Sequence, residues 1–170
     1  VRLAVVFTIL ALLPGLLVMM TSFTRIVIVL SFIRRALTTQ NIPPRIALIG
    51  LALFLAVFTM SPTFGQINDR AVRPYMAEEI GFAQAVQRGN AALKEFMLRQ
   101  TRESDLALFV DLADMETPPQ TTADVPTHVA VPAFAVSEFR TAFQMGCLLF
   151  IPFLLIDLVT AAILLSAGMM

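Results

Sequence analysis

Residues 19–35 read MMTSFTRIVIVLSFIRR, and what Arg25 does among them decides what kind of fold the chain can have. Arg25 interrupts an apolar run from Leu3 to Ile33 that is otherwise relieved only by Thr8, Pro14, Gly15, Thr21, Ser22, Thr24 and Ser31. A charged side chain at the centre of a bilayer costs about 2.5–3.5 kcal/mol on insertion scales. Arg25 therefore needs a carboxylate, a protein interior, or an interface that its guanidinium reaches while the stem stays apolar.

The rest of the chain sharpens that choice. Its 170 residues are 58% hydrophobic and the mean hydropathy is +0.81, well above an ordinary soluble domain. Lys and Arg together number 12, as do Asp and Glu, so no overall charge points to nucleic acid or to an acidic substrate. Three apolar blocks stand out, Leu3 to Ile33, Ile46 to Met60 and Phe143 to Met170. Against the roughly 20 residues that a spanning helix needs, the first is over-long, the second short and the third ample. Arg34, Arg35 and Arg45 lie between the first two blocks without an acid, while Ser61 to Arg140 holds more acids than bases. The positive-inside rule then predicts the N-terminus outside, the short connection in the cytoplasm and the polar segment outside.

The polar segment keeps a helical period. Phe82 and Val86, then Leu93, Phe96 and Met97, then Leu106, Phe109, Val110 and Ala113 recur at three and four, which predicts amphipathic helices. Pro62 suits a first helical turn, Pro74 a break, and Met115 to Pro132 an extended connection. A long helix is predicted from Pro132, past a kink at Pro152, to about Ser166. The divisions are therefore 1–60, a first apolar helical hairpin; 61–132, an amphipathic region with its connector; and 133–170, a long kinked apolar helix.

A second misplaced charge, Asp157, lies in IPFLLIDLVTAAILL. Two opposite charges in separate apolar blocks suggest a pair, and the expected partner of Arg25 is Asp157 first and Glu138 second, within one subunit or across a boundary. Chemistry of other kinds finds little support. His128 is the sole histidine and Cys147 the sole cysteine, so neither a His-based metal cluster nor a thiolate site has a second member. No GxxxxGK[ST], GxGxxG or HExxH motif is present. Asp111, Asp114 and Glu116 read as a solvated helix face, and no enzyme and no cofactor are expected. Methionine is in excess, with nine residues, including Met19-Met20 and Met169-Met170. Its unbranched thioether fills irregular gaps and forms deformable apolar contacts.

The runs MMTSFTRIVIVLSFIRRAL, IGLALFLAVFTMSP, LKEFMLRQTRESDLALF and SEFRTAFQMGCLLFIPFLLIDLV closely resemble the FliP family of flagellar export-gate proteins and their virulence type III secretion relatives, in collinear order. The wording around LKEFMLRQTRE resembles the flagellar branch more than the injectisome branch. The resemblance implies an all-α, membrane-associated protein of bent helical hairpins, with its amphipathic region on the periplasmic side of the bacterial inner membrane. It implies a pentamer of FliP-like copies with FliQ-like and FliR-like subunits, forming a pore in the flagellar basal body for unfolded export substrates. It also implies a methionine-rich constriction after the third apolar helix, which assigns Met169 and Met170 to the closed-gate seal. Arg25, Glu138 and Asp157 become assembly charges facing neighbouring protein. Family members continue past the point where this sequence stops, through further loop residues and another hydrophobic hairpin. A small-ion or solute transporter subunit is the alternative that intramembrane charges alone would suggest.

Overall fold

The computed structural model describes residues 2–37, 43–114, 119, 121 and 124–168. The described residues form helices and no strand: α1 (Arg2–Met19), α2 (Phe23–Ala36), α3 (Arg45–Ile67), α4 (Arg73–Met76), α5 (Phe82–Gln100), α6 (Glu103–Leu112) and α7 (Thr127–Ser166). A single π-helical turn, Asn68–Val72, joins α3 to α4. Across it the amide of Arg73 reaches back to the carbonyl of Asn68, one residue further than in an α-helix. Pro74 follows directly. Its ring would crowd the carbonyl four residues back in a regular helix, and the widened turn gives it room. Pro74 is thus absorbed rather than breaking the helix, and Pro62, expected in a first turn, lies inside α3. The second apolar block consequently belongs to a continuous stretch of 32 residues, Arg45–Met76.

Helix α7 begins at Thr127 and contains both Pro132 and Pro152. The sequence expectation had put its start at Pro132. A proline inside a helix costs about 3 kcal/mol, but on either side of Pro132 the residues Val129, Ala130, Ala133 and Phe134 are buried. Full burial is worth about 1.5–3 kcal/mol for each large apolar side chain, so Val129 and Phe134 alone offset the lost hydrogen bond.

Two clusters hold the body together. Met60 of α3, Phe96 and Met97 of α5 and Phe134 of α7 form one, with Met20, Leu93 and Val131 packed against it. Phe96 and Phe134 meet edge to face with centroids 5.9 Å apart, a geometry that the ring quadrupoles favour. Val125, Val129 and Ala130 form the other, under Leu98 and the α6 residues Leu106, Phe109 and Val110. Of the periodic positions, Phe96 and Met97 are buried and Leu93, Leu106, Phe109 and Val110 half-buried, whereas Phe82, Val86 and Ala113 stay exposed.

Helix directions follow from named contacts. Arg25 meets Glu138, and seven residues on, Phe32 lies against Gly146, eight residues after Glu138. Helices α2 and α7 are thus parallel neighbours. Met20, just before α2, packs against the cluster that holds Met60, late in α3, and α2 and α3 follow one another through a short connection, as an antiparallel hairpin. The buried face of α3 is Leu48, Ala52, Ala56, Met60 and Thr63, a stripe at helical spacing whose small residues let neighbouring backbones approach.

Much apolar surface is left without cover. Ile46, Leu53, Phe54, Val57 and Phe58 project from the other side of α3. In α7 the buried face ends at Gly146, and from Leu148 to Ser166 only Phe150 is even half-covered. Arg45–Met76 and Thr127–Ser166 are both long and apolar enough to cross a membrane.

Candidate functional site

The polar residues that matter lie where α2, the α5–α6 corner and α7 converge. Arg25, in the first turn of α2, donates from Nε to Oε2 of Glu138 at 2.8 Å and from Nη2 to Oε1 of the same carboxylate. Nη2 also donates to Oε1 of Gln100, the last residue of α5, at 3.1 Å. The planar guanidinium thus grips the carboxylate through two nitrogens, the strongest form of such a contact. The pair is unevenly buried, with Arg25 23% exposed and Glu138 1%. Arg25 retains an edge toward solvent, while Glu138 depends on its partner for all compensation.

A second pair lies half a turn further along α7. Nη1 of Arg140 lies 2.8 Å from Oδ1 of Asp105 in an ion pair, and here too the acid is buried, at 1% exposed, and the base is not. Oδ2 of Asp105 has no hydrogen-bond partner. Between the two pairs, the backbone amide of Arg102 donates to Oγ of Ser137 at 3.0 Å, and Nη2 of Arg102 donates to Oε1 of Gln144. Ser137, Arg140 and Gln144 recur at three and four along α7, so one polar strip of that helix holds the corner Gln100–Asp105. The amide of Arg102 precedes α6 and has no helical acceptor of its own; the Ser137 hydroxyl satisfies it. Glu103 and Asp105 in the first turn of α6 complement the positive end of its dipole.

Below this clasp the helices touch closely. A Cβ added to Gly146 would lie 2.4 Å from Cδ2 and 2.5 Å from Cγ of Phe32. Phe32 in turn meets Phe143 edge to face at 5.3 Å. Glycine at 146 is what allows the ring of α2 to lie on the backbone of α7.

Within the chain Arg25 pairs with Glu138, the second of its two expected carboxylates, and not with Asp157, the first. Asp157 is exposed and makes no ion pair among the described residues. The reason is geometric: Glu138 is level with Arg25, and Asp157, 19 residues later on the same helix, lies about 28 Å further along it. Met169 and Met170 lie outside the described residues. Gly168, just before them, has φ +69°, where the chain turns out of α7 in a conformation that glycine adopts without strain. His128, Asp111 and Asp114 are exposed and Cys147 is half-buried. Glu116 lies outside the described residues. No group of three or more His, Cys, Asp or Glu is placed to hold a metal among the described residues.

Gln100, Arg102, Asp105, Ser137, Arg140 and Gln144 were not singled out from sequence. The available signal was the polar strip of α7 at helical spacing inside an otherwise apolar block. The cluster has no nucleophile set against a base; what it does chemically is fix α2, α5, α6 and α7 to one another through ionic and amide contacts.

Comparison with known proteins places the chain in a family. The FliP family model matches residues 6–170. The flagellar biosynthetic protein FliP of Bacillus subtilis is 51% identical over 170 residues, covering all of this chain and 76% of that protein. That of Pectobacterium carotovorum is also 51% identical over the whole chain, which spans 66% of its length. The Aquifex aeolicus protein is 44% identical over 169 residues, 99% of this chain and 71% of its own. The chain thus spans about two thirds to three quarters of these relatives, and it belongs to the FliP family.

Proposed function

We propose that the protein is a non-enzymatic, pore-forming structural subunit of the flagellar type III export gate, in the bacterial inner membrane with its amphipathic helices toward the periplasm. Family membership supports the flagellar assignment. The observation that carries the gate reading is the bare half of α7, Leu148 to Ser166, on a body whose own helices are firmly clasped. A helix so apolar and uncovered needs hydrocarbon or sibling helices around it. In a ring of five copies with FliQ-like and FliR-like subunits, neighbouring α7 helices supply that cover and Asp157 finds its partner across a boundary. Met169 and Met170, beyond the turn at Gly168, would then face a shared axis as a deformable seal through which unfolded chains pass.

The test is secretion. Cells lacking the gene fail to export filament proteins, and the full-length protein restores export while co-purifying in a large heteromer. Restoration of a small-solute flux by the protein alone would instead favour a transporter subunit, and rescue of virulence secretion without motility the injectisome branch.

A further inference from the structure

Between Phe82 and Gln100, α5 carries Arg88, Lys94 and Arg99 against the single acid Glu95, whereas from Glu103 to Asp114 the chain carries four acids and no base. Three of these charges have a partner within the chain. Glu95 pairs with Arg70, Lys94 donates to the carbonyl of Val125 and Asp105 pairs with Arg140. Arg88 and Arg99 on α5, Glu103 and Asp111 on α6 and Asp114 just beyond it are exposed and form no ion pair with a described residue. Exposed charges are ordinary one by one; the arrangement of these is not.

At helical spacing, Arg88, Ala91, Glu95 and Arg99 share one outward face of α5, and Glu103, Ala107, Leu108 and Asp111 share one outward face of α6. Ala91 is exposed and Leu108 is 49% exposed. Set antiparallel, the two faces bring Arg99 to Glu103, Ala91 to Leu108 and Arg88 to Asp111. The bases are 11 residues apart and the acids 8, a mismatch of about 4.5 Å that the long arginine stem spans. One chain cannot make this contact. Phe134 and Glu138 of α7 lie toward α5, whereas Val129, Ser137 and Arg140 lie toward α6, so α5 and α6 sit on adjoining sides of α7 with their outward faces diverging. Their directions suit side-by-side copies. Asn90 meets Thr127 and Phe96 meets Phe134, so α5 runs parallel to α7; Asp105 meets Arg140, and Phe109 and Val110 pack on the cluster of Val129, so α6 runs back beside it at a similar height.

We propose that the α5 face of one copy docks on the α6 face of the next, head to tail, with Arg88 against Asp111 and Arg99 against Glu103. The occupant is a second copy because the same chain supplies both halves of the charge pattern, in matching direction and at matching height. The two faces differ, so the contact is heterologous and passes from copy to copy rather than closing in a pair. Two short helix faces bury less than the about 1,200 Å² at which stable interfaces begin. The contact therefore sets the register of copies that associate through larger apolar surfaces. This rests on the reading that copies assemble in a ring.

The experiment is disulfide trapping of the full-length protein, in membranes with its flagellar partners and in a Cys147→Ser background. Ala91→Cys with Leu108→Cys in one chain gives, on mild oxidation, a ladder of dimers, trimers and higher species. Ala83→Cys with Leu108→Cys, also exposed but off the register, gives none. Charge reversal is the second readout. Arg88→Glu/Arg99→Glu and Glu103→Arg/Asp111→Arg each lower the trapped fraction about tenfold, and all four changes in one chain restore it. A dimer with no higher species, equal trapping by both cysteine pairs, or a quadruple variant no better than either double overturns the proposal. A heteromer recovered at wild-type yield without the ladder removes this contact and leaves the gate reading standing, whereas a chain recovered only as a monomer removes both.

Discussion

Arg25 and Glu138, 113 residues apart in the chain, are joined by two hydrogen bonds from one guanidinium to one carboxylate. The contact ties the start of α2 to the first third of α7, and Gln100 brings in α5. Three helices are thus registered by polar contacts beside the apolar cluster of Phe96, Met97 and Phe134 one turn away.

Removing either partner is expected to have unequal effects. Arg25→Leu strands a buried carboxylate, for which a loss of about 3–5 kcal/mol is expected. Glu138→Gln leaves a guanidinium that still has Gln100 and an open edge toward water, and should cost less. Chemical denaturation of the detergent-solubilised protein measures both, and a larger loss for Glu138→Gln contradicts the burial assigned to the pair. The reversed pair, Arg25→Glu with Glu138→Arg, should recover part of what Arg25→Glu alone loses.

The second pair carries the same asymmetry. Arg140→Ala leaves Asp105 with neither oxygen satisfied, and a loss of about 1–3 kcal/mol or more is expected. Asp105→Asn frees Arg140 to water and removes the buried charge, so thermal unfolding should rank it above Arg140→Ala in stability.

Gly146→Ala places a methyl group inside the contact distance of the Phe32 ring. Overpacking of this kind costs about 1–3 kcal/mol. Phe32→Leu in the same chain should return part of it. If Gly146→Ala is as stable as wild type, α2 and α7 are not in the contact described.

Asp157→Asn should leave the stability of the isolated chain within about 0.5 kcal/mol of wild type, as for a surface change. Under the proposed assembly it lowers the yield of heteromer recovered from membranes. Replacing Met169 and Met170 by alanine should raise ion leakage through the reconstituted gate, and unchanged conductance would remove the role of both in the seal.

Sequence alone narrowed Arg25 to a carboxylate, a protein interior or an interface within its reach, because a lone guanidinium does not sit in hydrocarbon. It did not carry the choice between Glu138 and Asp157. Both are acids on one helix, and only the register of α2 against α7, fixed by Phe32 on Gly146, tells which is level with Arg25. The length of α7 was legible from its apolar run, but its start was not, since the burial of Val129 and Phe134 outweighs the proline rule at Pro132. At Pro74 a π turn replaced the expected break, for which one sequence offers no signal. The Asp105–Arg140 pair went unread because each residue looks like an ordinary surface charge until α6 lies against α7.

The central claim is that these helices are completed by copies and partners of themselves. Electron microscopy of the complex extracted from membranes with its flagellar partners tests it most directly. The expected result is a closed heteromeric ring in which several copies pack through α3 and the bare half of α7 around a central conduit. A dispersed single chain surrounded by detergent, with no conduit, would contradict it.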